Sequence, residues 1–157
     1  MLFETKSEWS LDELKKLYRM SFFVLRKSYL IYVIVCEVLF AAIIVYSVVN
    51  RHLLTVIVGG AAIVLLPLLI FLRLHLSAKK EYESNKLYQN SVATYKFYED
   101  KIEAASDRGT SYLLYDELYK VVETKTNFYL FFSKRQCLNI IKANCSEELI
   151  LFLREKK

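Results

Sequence analysis

The sequence contains little glycine, proline and histidine. Its 157 residues include 3 glycines, 1 proline and 2 histidines, whereas 55% of the residues are hydrophobic. So few glycines and prolines in so apolar a chain exclude a disordered or low-complexity protein. Because the glycines are Gly59, Gly60 and Gly109, the sequence also lacks a glycine-rich loop that could bind phosphate groups.

The scarcity of histidine argues against metal binding and catalysis. His52 and His75 lie at opposite ends of a long apolar run, so they cannot share a metal ion. Cys137 and Cys145 have no second thiol or histidine at the spacing of a zinc site. No histidine follows His75, so no Ser–His or Cys–His catalytic pair can be proposed for the C-terminal half. We therefore predict no metal, no cofactor and no enzymatic activity.

Long apolar runs are abundant instead. Residues 29–49, "YLIYVIVCEVLFAAIIVYSVV", and residues 53–72 are each long enough to cross a hydrocarbon core of roughly 30 Å at about 1.5 Å per residue. The first run starts too late and is too long for a cleaved signal peptide. Because the link Asn50-Arg51-His52 is so short, residues 29–72 are predicted to form an antiparallel transmembrane hairpin.

The distribution of basic residues predicts the orientation of this hairpin. Arg51 is the single basic residue of lysine or arginine type between the two runs. The positive-inside bias then places both termini in the cytoplasm, in a two-span protein of the cell membrane with the lipid bilayer as its first partner. The basic residues that flank the runs are Lys15, Lys16, Arg19, Arg26, Lys27, Arg73, Lys79, Lys80 and Lys86.

The same charges account for most of the net charge of +5. Acidic and basic residues nearly balance between 92 and 157, so this segment lacks the basic face of a nucleic-acid-binding domain. Its alternating aromatic residues indicate core packing and not a platform for stacking bases. We predict no nucleic-acid partner.

Glu37 is the one acidic residue inside the first apolar run. A charge at this depth costs at least about 2.5–3.5 kcal/mol, so the side chain is expected to be neutralised or functional. Pro67 lacks an N–H, which deprives the carbonyl of Ile63 of its helical donor. If residues whose numbers sum to about 102 lie at equal depth, a protonated Glu37 could donate to Ile63, and Ala41-Ala42 would pack on Gly60-Ala61. The alternatives are a bond between subunits and a role in carrying protons or ions.

The rest of the chain divides into three predicted segments. Residues 1–28 form a cytoplasmic N-terminal segment with an amphipathic helix that begins after Ser10 and runs into the first span. Within it, "MLFETKSE" alternates like a strand, so 2–7 is predicted to add as an edge strand to a sheet, the alternative being a frayed terminus. Residues 73–91 form a helical connector, and 92–157 form an antiparallel meander of about six strands with a C-terminal helix capped by Ser146.

The C-terminal segment contains a recognisable pattern of strand and turn residues followed by the terminal "SEELILFL" helix. The residues of the pattern that precede the helix are Ser111, Tyr115, Glu117, Leu118, Lys120, Val121, Glu123, Thr124, Tyr129, Leu130 and Phe131. In this pattern the segment resembles the YcxB-like family of bacterial membrane proteins. The resemblance implies a pleckstrin-homology-like sheet with a terminal helix, and hence an α+β membrane protein, but it implies no activity.

The strand "FYLFFS" is apolar on both faces, which predicts that it is covered on both sides. We expect the terminal helix on one side and another subunit, a partner or the membrane on the other, and we take Phe128, Tyr129 and Phe131 as a candidate interaction surface. The sequence therefore favours a non-enzymatic membrane protein whose cytoplasmic domain serves as a protein-interaction or regulatory module. The partner would be another membrane or cytoplasmic protein, or a second copy of the chain. An immunity or resistance factor in the membrane, and a small conducting oligomer that uses Glu37, are the alternatives.

Overall fold

A computed structural model describes residues 1–86, 89, 91–107, 109–134 and 136–156. The helices are α1 (Leu11–Met20), α2 (Lys27–Val49), α3 (Leu53–Ser84) and α4 (Glu147–Glu155). The strands are β1 (Phe3–Trp9), β2 (Ser91–Phe97), β3 (Lys101–Ser106), β4 (Gly109–Leu114), β5 (Lys120–Glu123), β6 (Asn127–Phe131) and β7 (Cys137–Ile141). Short 3-10 turns occupy Tyr115–Glu117 and Lys142–Asn144.

The chain separates into a helical unit and a discontinuous β-rich unit. Leu11–Asn85 form the helical unit, whereas Met1–Ser10 and Lys86–Lys157 together form the other. The predicted N-terminal segment 1–28 is therefore divided between the two units. We call the β-rich unit the split domain, because the helical unit is inserted between its first two strands.

Within the described part of the helical unit, α2 and α3 are both long and apolar enough to cross a membrane. The predicted spans 29–49 and 53–72 lie within them. α3 continues to Ser84, so the segment after Leu72 is helical, as predicted for the connector. The end of the predicted connector 73–91 is described only in part, because 87, 88 and 90 lie outside the described residues.

The helix predicted to run from Ser10 into the first span is interrupted. A π-helical turn over Ser21–Leu25 follows α1, and Arg26 then leaves the helical conformation with φ −103° and ψ 47°. α2 begins afresh at Lys27. No glycine or proline marks this break, which is why the sequence did not predict it.

In the split domain, all six strands expected in 92–157 are present, but they do not form one meander. Within the described residues, β1-β2-β3-β4 form one antiparallel sheet and β5-β6-β7 form a second. The chain leaves the first sheet at the Tyr115–Glu117 turn, where the Leu114 N–H bonds the Glu117 carboxylate at 3.0 Å. That turn ends β4 before it can pair with β5.

The core of the split domain lies between the strands and α4. It contains Tyr95, Phe97, Ile102, Val121, Phe128, Leu130 and Ile140 from the sheets and Leu149 and Leu153 from α4. Ser146 caps α4 as predicted, because its Oγ accepts the Leu149 N–H at 3.2 Å. Burial of this apolar set is the main source of the domain's stability.

Candidate functional site

β1 is a full member of the split domain, as the alternation of its residues predicted. It pairs antiparallel with β2 in the register Phe3↔Phe97 to Trp9↔Ser91. The alternative prediction of a frayed N-terminus is therefore wrong. Phe3 lies on the ring of Phe152 in α4, with the ring centroids 5.5 Å apart.

The buried polar side chains of β1 bond to the second sheet. Thr5 Oγ1 donates to the Asn144 carbonyl at 2.8 Å, and Ser7 Oγ accepts the Ile141 N–H at 3.0 Å. Asn144 Nδ2 in turn donates to the Lys6 carbonyl at 2.7 Å. Since Thr5 and Ser7 are both almost completely buried, the first two bonds satisfy hydroxyl groups that water cannot reach. β1 thus connects the two sheets.

A charge cluster joins the second sheet to α4. The Glu123 carboxylate accepts hydrogen bonds from Lys142 Nζ at 2.8 Å and from Arg154 Nε and Nη2 at 3.0 and 2.8 Å. The hydrogen bonds from Arg154 and Lys142 lower the pKa of Glu123 from about 4.5 to about 2. The arrangement is that of a structural ion-pair cluster, because every group in it is directed at another.

The cysteines of this unit lack the character of nucleophiles. Burial raises the pKa of the Cys137 thiol to about 12 and also raises that of Cys145, so both remain protonated at neutral pH. Among the described residues, no group of three or more histidine, cysteine, aspartate or glutamate side chains is placed to hold a metal ion.

The surface predicted at Phe128, Tyr129 and Phe131 is not exposed. All three side chains are buried, as is every residue of β6. Phe128 and Leu130 contribute to the domain core, while the intervening Tyr129 is on the opposite face and equally inaccessible. β6 is apolar on both faces because it is the central strand of its sheet, buried within the chain, and the prediction of an interaction surface there is wrong.

The exposed strand is β4, whose exposure the sequence did not predict. It forms an outer edge of the first sheet, and its residues are exposed apart from the half-buried Leu113. Tyr112 is 63% exposed, and Lys101 Nζ lies 5.1 Å from the centre of its ring. Leu114 and Tyr119 are also exposed. The polar and apolar residues of "GTSYLL" are those of an ordinary strand. Its position at the edge is therefore evident only from the order of the strands in the sheet.

In the helical unit, Glu37 lies on the side of α2 that packs against α3. The least exposed residues of α2 recur every three or four positions, which places Glu37 on one stripe with Val33, Phe40, Ile44 and Ser47. The Oε1 atom of Glu37 is buried, and no described residue forms a hydrogen bond with it.

The predicted bond from Glu37 to the carbonyl of Ile63 is not formed within the described part of the chain. Ile63 is on the half-buried side of α3, but Pro67 is exposed. The three residues of the proposed polar site are therefore not brought together.

The close contact between α2 and α3 involves Gly59 and Ile44. A Cβ placed on Gly59 would lie 2.8 Å from Ile44 Cγ1, whereas a Cβ on Gly60 would have no neighbour within 4 Å. Ala41 and Ala42 are exposed, so the predicted packing of Ala41-Ala42 on Gly60-Ala61 is wrong. The numbers 44 and 59 sum to 103, close to the 102 expected for residues at equal depth. Depth alone, however, does not determine which face of each helix is turned inward.

Comparisons with known proteins agree with the resemblance seen in the sequence. The family model described as YcxB-like protein matches residues 97–156. No curated protein and no solved structure matches the chain. The matched segment runs from the end of β2 to just beyond α4, so it covers most of the split domain but not β1. The chain therefore carries a YcxB-like domain, as its sequence predicted.

Proposed function

We propose that the chain is a two-span integral membrane protein whose YcxB-like domain binds another protein. The observation that carries the first part is the exposure of the apolar helices. Only 6% of the most apolar window of either α2 or α3 is buried within the chain. A core helix of a soluble protein would be mostly buried, whereas exposed apolar faces of this length require a lipid environment.

The pairing of β1 with β2 supports a topology with both termini on one side of the membrane. β1 precedes the helical hairpin and β2 follows it, yet the two strands share one sheet. A strand pair cannot form across a bilayer, so both ends of the hairpin must return to the same side. The basic residues that flank the hairpin favour the cytoplasm.

This topology can be tested with single cysteines in a chain whose natural cysteines are replaced. A membrane-impermeant maleimide added to intact cells should label Arg51→Cys and should not label Lys156→Cys until the cells are lysed. Labelling of Lys156→Cys in intact cells would reject the cytoplasmic assignment.

The partner-binding role rests on β4. A four-stranded sheet, a three-stranded sheet and a terminal helix support the pleckstrin-homology-like arrangement implied by the resemblance. A fold by itself, however, assigns no ligand. The exposed edge of the first sheet does suggest a binding mode, because an extended segment of a partner protein can add to such an edge as a further strand. Tyr112, Leu114 and Tyr119 supply exposed side chains for specificity. No reaction is part of this proposal.

Photo-crosslinking from the full-length protein in native membranes tests this mode. A photoreactive phenylalanine analogue at Tyr112 should give one crosslinked product of defined mass, whereas the same analogue at Leu151, which is similarly exposed on α4, should not. Leu114→Lys and Tyr119→Lys should abolish the product. Twice the mass of the chain would identify a second copy as the partner. Equal products from both positions, or none from Tyr112, would reject the β4 edge.

A second candidate, proton conduction by an oligomer, rests on Glu37. Its buried and unpartnered Oε1 is a polar atom within an apolar hairpin. Intramembrane acids of this kind often lie on proton pathways. Proteoliposomes should then show a proton flux that Glu37→Gln abolishes, and equal flux from the wild type and the variant would reject this role.

A further inference from the structure

An open groove lies along one face of α3, beyond the apolar centre of the span. It is a shallow, open depression with a volume of about 430 Å³, lined by Leu69, Leu72, Arg73, Leu76, Ser77 and Lys80. These positions recur every three or four residues, so they share one face of the helix. The groove belongs to neither the β4 edge nor the Glu37 region.

The groove has an apolar part and a cationic part. Leu69, Leu72 and Leu76 are largely exposed, at 60%, 48% and 53%. Arg73 lies on the same face between Leu72 and Leu76, and Ser77 and Lys80 follow towards the end of α3. An apolar surface that becomes polar and basic towards one end matches the two parts of a phospholipid, whose acyl chains and phosphate are joined end to end.

The cations of the groove lack counter-ions among the described residues. Lys15, Lys16 and Lys79 each have a carboxylate partner, in Asp12, Glu13 and Glu83. Arg73 and Lys80 are exposed, and no described acidic side chain forms an ion pair with either.

The opposite face of α3 is already occupied within the helical unit. Arg19 of α1 lies over Phe71, with its guanidinium carbon 5.4 Å from the centre of the ring, and Ala78 is fully buried. At 100° per residue, Arg73 and Lys80 are turned well over 100° away from Phe71 and Ala78. The groove therefore remains open on the side that α1 does not cover.

We propose that this groove binds an anionic phospholipid. Arg73 and Lys80 pair with the phosphate and its negatively charged headgroup, Ser77 donates a hydroxyl hydrogen bond, and an acyl chain lies along the three leucines. Charge complementarity favours an anionic lipid over a zwitterionic one, because each cation near an anionic headgroup contributes separately to binding. This inference rests on the membrane insertion proposed above.

Competition between two lipids tests the site. Full-length protein in detergent is given phosphatidylglycerol and phosphatidylcholine at equal concentration, and the adducts are counted by native mass spectrometry. Wild type should prefer phosphatidylglycerol. Arg73→Gln and Lys80→Gln should each reduce that preference by about fivefold. Lys79→Gln is the matched control, because Lys79 is also exposed, is adjacent to Lys80 and lies outside the groove.

The possible results separate the lipid site from the membrane proposal. Alkaline carbonate should leave the wild type and all variants in the membrane fraction. Suppose that all chains stay in the membrane fraction and that Lys80→Gln lowers the preference for phosphatidylglycerol no more than Lys79→Gln does. The lipid site is then rejected, while membrane insertion stands. Equal binding of both lipids to the wild type also rejects the site. Release of the wild type by carbonate overturns both proposals.

Discussion

Trp9 in β1 and Ser91 in β2 are direct cross-strand partners, although α1, α2 and α3 all lie between them in the sequence. In the split domain the first two strands are therefore connected by the complete helical unit and not by a turn. The family match begins only at the end of β2, so the chain's own N-terminus supplies the neighbouring strand. The stability of the YcxB-like domain should thus depend on residues outside the matched segment.

Removing the acceptor at Ser7 tests this dependence. Ser7→Ala leaves the partly buried Ile141 N–H without the Ser7 hydroxyl and should lower the free energy of unfolding by about 1–2 kcal/mol. Trp9 is the only tryptophan and lies in β1, so its fluorescence during thermal unfolding reports directly on this strand. Glu8→Ala, at an exposed position of β1, is the control and should change little. Equal stability of Ser7→Ala and Glu8→Ala would show that the bond does not support the domain.

The Glu123 cluster predicts a pH dependence. The pKa of Glu123 is about 2 in the folded chain against about 4.5 ordinarily, so its carboxylate stabilises the folded state above its ordinary pKa. This contribution should be lost progressively as the pH falls from about 5 through about 2. Glu123→Gln should lower stability at neutral pH by about 1 kcal/mol and flatten the acid side of a plot of unfolding temperature against pH. Glu99→Gln, in an exposed turn, should keep the wild-type dependence of unfolding temperature on pH. If Glu123→Gln also keeps the wild-type dependence, the cluster does not stabilise the fold.

The sequence predicted local structure well and the packing of elements less well. Strands in 92–157 were predictable because turn signals separate them, and the edge strand at Phe3–Trp9 because its residues alternate. The division into two sheets depends on which strands meet, and the Tyr115–Glu117 turn that separates them contains no glycine or proline. Burial also depends on which strands meet. The burial of Tyr129 and the exposure of Tyr112 could therefore not be predicted from strands that look equally apolar.

Gly59 and Gly60 form a natural pair of test positions in the helical hairpin. Gly59→Ala forces its new methyl group against Ile44 and should weaken the packing of α2 on α3 by about 1 kcal/mol or more. Gly60→Ala meets open space and should be neutral or slightly stabilising, since alanine is the better helix former. Unfolding of the purified protein in mixed micelles would give both values. A larger loss for Gly60→Ala would mean that the helices pack through another face.

The unpartnered Oε1 of Glu37 leads to a stability prediction opposite to the one that a bond to Ile63 would give. A bond to Ile63 would make Glu37→Leu destabilising, but the unpartnered Oε1 predicts that leucine is tolerated and stabilises the hairpin by roughly 1 kcal/mol. The same micelle unfolding assay measures the change, with Glu37→Gln as the polar control. Strong destabilisation by Glu37→Leu would instead point to a partner in a second copy of the chain.

The pairing of β1 with β2 around the helical hairpin is the central structural claim, and a designed disulfide tests it most directly. Glu8 and Val92 are cross-strand partners, and both are exposed. Glu8→Cys with Val92→Cys, in a chain without its natural cysteines, should form a disulfide in native membranes, because directly paired Cβ atoms lie about 4.5–5.5 Å apart. Glu8→Cys with Lys96→Cys, which is out of register, should not.

A protease site inserted at Arg51 makes the result readable on a gel. After solubilisation and cleavage, the Glu8→Cys and Val92→Cys chain should run as one species without reductant and as two fragments with it. The out-of-register pair should give two fragments in both cases. Separation of the in-register fragments without reductant would contradict the account, because the two ends of the chain would then not build one domain.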